Sequence, residues 1–403
     1  PATNVGAFRA QSLQSYNGKV LRIDPMTGYG VPSNPYYNAA NPDGVESKIW
    51  ALGMRQPFSL TIRPGSGSTN ASSGNPGAIY VNDVGFYNWE EENVVTAPGQ
   101  NFGWPIYEGF LKHPNFSSAN VYNLNAPNPL YGTGGCTTPY FKFADLLKDD
   151  TQGPGSWPNP CNTSVQIPAN IPVFKHRRGS YAYKHGTPIV YVPEYTGNNP
   201  LAANLGSPQT SATGTPFDGS CIMGSAWIPN NAWPAKYHDA MFFMDYDKGW
   251  IRYAKFDANH KLVSIDTFAT NVGRPVTMQW HPIQKCIYWV DYISGQLHRI
   301  KYTVGANLAP VAIATQNKVY GASPVNVQFD GTASYDPETA PLTYFWSFGN
   351  GVTSTLANPS ITFTAPTSGN IILIIWTSCG AAEIQTDNGI PTFACTGNGT
   401  VVQ

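Results

Sequence analysis

The sequence predicts an all-β chain built in two parts, and three observations carry that prediction. Charged residues make up 12% of the 403 residues, against about 25% in ordinary soluble domains. Aromatic residues reach 13%, and the chain also holds 39 Gly and 35 Pro. Short runs of alternating or β-branched residues recur between turn residues, and helical periodicity is nearly absent. Long helical repeats and coiled coils are thereby excluded.

The runs predict strands over 19–24, 78–83, 188–192, 225–228, 240–245, 250–256, 262–268, 275–280, 285–290 and 296–302. Turn signals separate them: Met26-Thr27-Gly28, Asp247-Lys248-Gly249, Asp257-Ala258-Asn259 and Ser294-Gly295. One short helix is expected over 144–148, inside a long irregular insertion from Tyr107 to about Asn170. Composition shifts near residue 304. After a linker at 304–310, strands over 325–330, 342–348, 360–364 and 371–377 read as a small β-sandwich around Trp346. The expected division is 1–303, 304–385, and a tail over 386–403 that holds Cys395.

The net charge of −1 and the scattered basic residues argue against nucleic-acid partners and a polybasic membrane anchor. No apolar run approaches the ~18 residues of a membrane helix. The six cysteines, Cys136, Cys161, Cys221, Cys286, Cys379 and Cys395, include no C-x-x-C pair. Their even number, with sequons at Asn70, Asn115, Asn162 and Asn398, predicts an extracellular, disulfide-bonded glycoprotein. Proximity suggests Cys136 with Cys161 and Cys379 with Cys395, leaving Cys221 with Cys286; six buried free thiols are the alternative.

Four segments in order then carry a resemblance. They are Gly18-Lys19-Val20-Leu21-Arg22-Ile23-Asp24, Leu52-Gly53-Met54-Arg55-Gln56-Pro57, Asp83-Val84-Gly85 with Trp89-Glu90-Glu91-Glu92-Asn93, and Asn101-Phe102-Gly103-Trp104-Pro105. Later stretches around Met244-Asp245-Tyr246, Gly273-Arg274-Pro275 and Trp289-Val290-Asp291 extend it. Together they resemble the soluble glucose/sorbosone dehydrogenases, six-bladed β-propellers that use pyrroloquinoline quinone (PQQ). Radial repetition is also what strand–turn units without helices need to manage their edges. The strands here supply about four blades. The resemblance therefore implies further blades upstream of Pro1, or another chain that completes the ring.

The resemblance implies oxidation of a sugar hydroxyl, with hydride passing to PQQ. Such a reaction needs a base, cations against the quinone, and a polarising Ca²⁺. The family's catalytic His falls in the upstream region, so no catalytic residue is assigned; His176, His185, His238, His260, His281 and His298 read as packing or surface groups. Arg55 matches the family's cofactor-contacting Arg; Gln56 stands where the family has Asn, one methylene shorter, and Arg274 matches an Arg of the closing motif. Arg55, Gln56 and Arg274 are thus the cofactor candidates, with an ordinary packing or pairing role as the alternative for Arg55. Asp83, Glu91, Gly103 and Pro105 are the calcium candidates, against a capped turn with surface charges.

Residues 307–380 resemble a PKD-type immunoglobulin-like domain, on Asn307-Leu308-Ala309-Pro310, Phe329-Asp330-Gly331, Ser334-Tyr335-Asp336-Pro337 and Trp346-Ser347-Phe348-Gly349-Asn350-Gly351. The expectation is a secreted sugar dehydrogenase-like protein with a sugar or glycan as partner. The alternative is a non-catalytic extracellular propeller for adhesion, matrix structure, or protein or glycan binding. A propeller glycoside hydrolase or lyase ranks last, since no convincing carboxylate pair stands out beyond Glu90 and Glu91.

Overall fold

A computed structural model describes residues 5–230, 232–302, 310–336, 341–349, 351–364 and 371–377, with short strands at Glu383–Asp387, Ile390–Ala394 and Thr400–Val402. The chain divides into two compact units, Pro1–Tyr302 and Thr303–Gln403. Both are built almost wholly of strands.

Four sheets stack in the first unit. Lys19–Leu21 pairs with Ile49–Leu52. The next sheet is antiparallel, ordered Asn199–Asn204, Val190–Thr196, Tyr181–Lys184, Trp89–Val95, Ile79–Asp83, Pro57–Ile62; it is called the first sheet below. The second sheet runs Thr213–Gly214, Leu262–Thr270, Trp250–Phe256, Ala240–Asp245, Ile222–Ile228, and the third runs Pro275–His281, Cys286–Asp291, Leu297–Lys301.

Each sheet buries its neighbour's face. Val20, Trp50, Val81, Val95 and Phe102 fill the layer between the two-stranded sheet and the first sheet. Tyr80, Tyr181, Tyr183, Trp227 and Phe243 fill the layer between first and second. Ile228, Phe242, Met278 and Ile287 fill the one between second and third. The large rings meet edge to face, as Tyr80 meets Trp227 at 5.2 Å. The edge strands Pro57–Ile62, Ile222–Ile228 and Pro275–His281 lie side by side. Stacked sheets with adjoining inner edges are the packing of a β-propeller.

The turn signals are borne out by a recurring device. In Asp24–Gly28, Asp245–Gly249 and Asp291–Gly295 the glycine N–H donates to the aspartate carbonyl, at 2.8, 3.1 and 2.9 Å. Each glycine has a positive φ, between +60° and +72°, which a side chain would strain.

Two features here depart from expectation, and one expected cysteine pairing is present. The helix expected over 144–148 is a single 3-10 turn, Phe143–Asp145, followed by Leu147–Lys148, which pairs in parallel with Phe174–Lys175. Asp145 accepts the Lys142 N–H at 2.8 Å and caps the start of the turn, which ends where Leu147–Lys148 is taken into strand pairing. The insertion from Tyr107 has cores of its own, one of Phe8, Ile106, Phe143 and Leu147, the other of Ala126, Phe141, Leu146 and Ile167. Cys136 and Cys161 form a disulfide there.

The pairing of Cys221 with Cys286 is corrected, because both are free thiols. Cys221 leads into Ile222–Ile228, at the end where Asp245 accepts its N–H. Cys286 faces His281 at the opposite end of the third sheet, where Trp233, just past Ile228, bonds the Lys285 carbonyl. A strand of that length separates them by about 20 Å, far beyond the reach of a disulfide. Cys379, Cys395 and the sequon at Asn398 lie outside the described residues whose side chains are placed.

The second unit is a two-layer sandwich. Thr315–Gln316, Val325–Asp330 and Ser360–Phe363 form one sheet; Thr353–Ser354, Leu342–Ser347, Ile372–Thr377 and Thr400–Val402 form the other. Val327, Phe329, Trp346, Phe348 and Leu373 pack between them, and the Trp346 indole N–H bonds the Leu356 carbonyl at 2.9 Å. The sequence expectation of a buried Trp346 holds.

Candidate functional site at the capped ends of the sheets

One end of the stacked sheets gathers most of the sequence's candidate residues. The second strand of each sheet finishes there on an aspartate: Asp83, Asp245 or Asp291. Each carboxylate turns back and accepts backbone N–H groups from the residues leading into the inner strand. Asp83 accepts from Arg55 at 3.0 Å and Gln56 at 2.6 Å. Asp245 accepts from Ser220 and Cys221, both at 2.9 Å, and Asp291 from Arg274 at 2.8 Å. Gln56, Cys221 and Arg274 therefore occupy equivalent places in three neighbouring sheets, each just before the residue that pairs with the aspartate, and Arg55 lies one residue earlier. A Cβ on Gly219 or Gly273 would strike the carboxylate, so glycine is required before each of the last two caps.

The two arginines are held differently. The Arg55 Nη1 donates to the Val84 carbonyl at 3.1 Å and to the Gln56 amide oxygen at 3.3 Å, with the guanidinium over the Phe86 ring. Arg274 pairs with Asp247 at 3.3 Å and lies over Tyr246. Asp247 also accepts the Ser220 hydroxyl at 3.0 Å. The Cys221 thiol sits within the fields of Arg55 and Asp247, which places all three in one region. Burial, then Glu90 and Asp245, push that thiol up to about 12, so it stays protonated and unreactive.

The acidic run is not a surface feature. Trp89–Val95 is a fully buried strand. Its residues alternate, so Glu90 and Glu92 face the second sheet while Glu91 faces the other way. Glu90 accepts the Ile222 N–H at 2.7 Å and bonds His185 Nε2 at 2.6 Å. Burial opposes a charged His185, but the Glu90 carboxylate outweighs it and raises the imidazole above its usual range. Glu92 lies opposite Tyr181, and burial pushes its carboxyl well above the ordinary range. The sequence reading set His185 aside and treated the acids as a strand start; the contact joins residues 95 apart and leaves no local pattern.

Of the calcium candidates, Asp83 and Glu91 come together through Asn93, whose amide reaches both at 3.3 Å. Burial raises both carboxyls, Asp83 to about 7. Their oxygens serve as internal acceptors, Glu91 for the Gly109 N–H at 2.5 Å. Gly103 and Pro105 lie on the loop under Gly53, where the Gly103 carbonyl takes the Tyr107 N–H and the Trp104 carbonyl takes the Gln11 amide. Among the described residues no three His, Cys, Asp or Glu side chains form a group able to hold a metal ion. The donor set here does not fit Ca²⁺. Asn70, Asn115 and Asn162 are all exposed.

Comparison with known proteins agrees with the architecture. Residues 3–122 match the family model for Glucose / Sorbosone dehydrogenase, and residues 307–389 match the PKD domain. Over residues 3–122 the chain is thus similar to the glucose/sorbosone dehydrogenases, and over 307–389 to PKD domains. It is 27% identical over 220 residues to the HIPL1 protein of Arabidopsis thaliana, covering 45% of this chain and 29% of that protein. It is 28% identical over 113 residues to quinoprotein glucose dehydrogenase B of Acinetobacter calcoaceticus, covering 28% and 20%. Aldose sugar dehydrogenase YliI of Escherichia coli is 26% identical over 107 residues, covering 27% and 25%. The chain thus spans between 20% and 29% of the length of these relatives. A solved glucose dehydrogenase overlays 74% of this chain and 59% of its own, with a TM-score of 0.40 and 17% identity. No helix among the described residues is long and apolar enough to cross a membrane.

Proposed function

We propose that this chain serves an extracellular sugar dehydrogenase that oxidises a sugar hydroxyl with PQQ. The observation that carries the reading is that Arg55 and Arg274 both lead into inner strands at the capped ends of their sheets, with their N–H groups on Asp83 and Asp291. Two guanidinium groups at one end of the stack suit a planar ligand bearing several carboxylates. The residues fit that group: Arg55 uses one nitrogen for the Val84 carbonyl and keeps its other donors, while Phe86 offers a flat ring beneath it. Bound PQQ would supply the two-electron acceptor for the sugar's hydride. Arg55 would bind and orient it, and Arg274, already paired with Asp247, would set the charge on the far side. No histidine of the chain is assigned as the base, and no step is assigned to Ca²⁺.

The occupied oxygens of Asp83 and Glu91, with Gln56 in place of Asn, favour a second reading. In it the chain is a non-catalytic extracellular glycoprotein that binds protein or glycan and keeps the sheets as a scaffold. A titration of PQQ into the purified chain, followed by absorbance, separates the two. Saturable binding that weakens by about tenfold in Arg55→Ala, the loss of one charge-assisted contact, is the expected result. Binding that Arg55→Ala leaves unchanged would overturn the assignment.

A further inference from the structure

The structure assigns a second ligand site, separate from the arginine pair, to a cavity of about 280 Å³ beside the Trp89–Val95 strand. We infer that it binds an acidic saccharide, a sugar ring carrying a carboxylate. Six side chains make the case: Glu108, His113, Lys112, Lys184, Trp89 and Tyr191.

Glu108 and His113 form its polar floor. Both are at least nine-tenths buried, at 4% and 5% exposure. The Glu108 Oε1 is fully engaged, accepting N–H bonds from Phe86 at 2.9 Å, Tyr87 at 2.7 Å and Asn88 at 3.1 Å. Among the described residues its Oε2 makes no hydrogen bond, and it lies 3.8 Å from His113 Nε2. That distance is too long for a direct bond. It suits a hydroxyl group that bridges the carboxylate and the imidazole. His113 Nδ1 takes the Asn115 N–H at 3.3 Å, so Nε2 and the Glu108 Oε2 are the atoms left to meet a ligand hydroxyl.

The rim is cationic. Neither Lys112 nor Lys184 has a carboxylate partner among the described residues. Two unpaired ammonium groups over a hydroxyl-binding floor call for an anion on a hydroxylated ring. Trp89 and Tyr191 stack at 4.7 Å and supply an apolar wall for the ring's C–H face. The cavity is at the small end for ligand pockets and fits one sugar ring. A carboxylate is favoured over a phosphate because the N–H nest at this cavity, 86–88, is already filled by Glu108 itself.

Calorimetric titration of the full chain, with no PQQ present, tests this directly. D-Glucuronate should bind at least about tenfold more tightly than D-glucose, which lacks the charge. Lys184→Gln, a half-buried rim substitution, should abolish that preference while the thermal unfolding curve stays in place. A galacturonate oligomer that binds more tightly than the monomer would identify a polysaccharide as the source; equal affinity would identify the free acid. Equal binding of glucose and glucuronate, no binding of either, or preference for glucose 6-phosphate would overturn the inference. None of these outcomes depends on PQQ, so the dehydrogenase reading stands or falls separately.

Discussion

Asp83 and Asp291 hold equivalent places in the first and third sheets, yet their environments drive their protonation in opposite directions. Asp83 is pushed up, chiefly by burial, against the pull of two backbone N–H donors. Asp291 is pulled below its usual range by the Ser294 hydroxyl and the Arg274 N–H. Asp245, in the sheet between them, is raised by burial although four donors surround it: the N–H groups of Ser220, Cys221 and Lys248, and the Tyr183 hydroxyl. One backbone device thus carries carboxyls shifted in opposite directions, up in the first and second sheets and down in the third. The capping geometry repeats because the strands repeat; the protonation does not, because it answers to what is packed against each sheet.

The largest effect expected from breaking this pattern is at Asp245. Asp245→Ala strands four donors at once, the buried Tyr183 hydroxyl among them, and denaturant unfolding should show a loss of about 3 kcal/mol. A loss no larger than that of Asp291→Ala would mean the caps are equivalent after all. Next comes the pH dependence of Asp83. Its folded value is raised above that of the unfolded chain, so its contribution is fully present below about pH 4 and is lost as pH rises toward 7. Asp83→Asn should flatten that part of a stability–pH curve, and an unaltered slope would place the titration elsewhere. The smallest effect belongs to Asp291→Ala, a slight lowering of the thermal melting midpoint near neutral pH. Its depressed value has the opposite sign: stability is present above the unfolded range and is lost on acidification, so the variant should melt like the parent at low pH.

Much of the architecture was legible because strands such as Ala240–Asp245 and Trp250–Phe256 are apolar runs bounded by Asp–Gly turns. Trp89–Val95 was not, since three consecutive glutamates read as solvent-facing whatever their pleat. Their burial depends on His185, Ile222 and Gly109, contributed by distant segments. The thiols of Cys221 and Cys286 were paired by elimination, and only the sheet register shows them at opposite strand ends. Arg55 and Arg274 stood out through family resemblance alone. The Glu108–His113 floor escaped notice because two residues five apart on an irregular loop make no periodic signal.

The edge strand Pro57–Ile62 has the pleat of an ordinary half-buried strand with its faces exchanged. Ser59 and Thr61 turn inward, while Phe58, Leu60 and Ile62 stand 44%, 52% and 48% exposed. The edge itself adjoins Ile222–Ile228, so what is left open is an apolar face that a second copy can cover. For anyone producing this chain, concentration is then the variable to watch. Dilute solutions keep that face in water, whereas crowded ones bring it against another copy, and recovery at the bench should fall as the protein is concentrated.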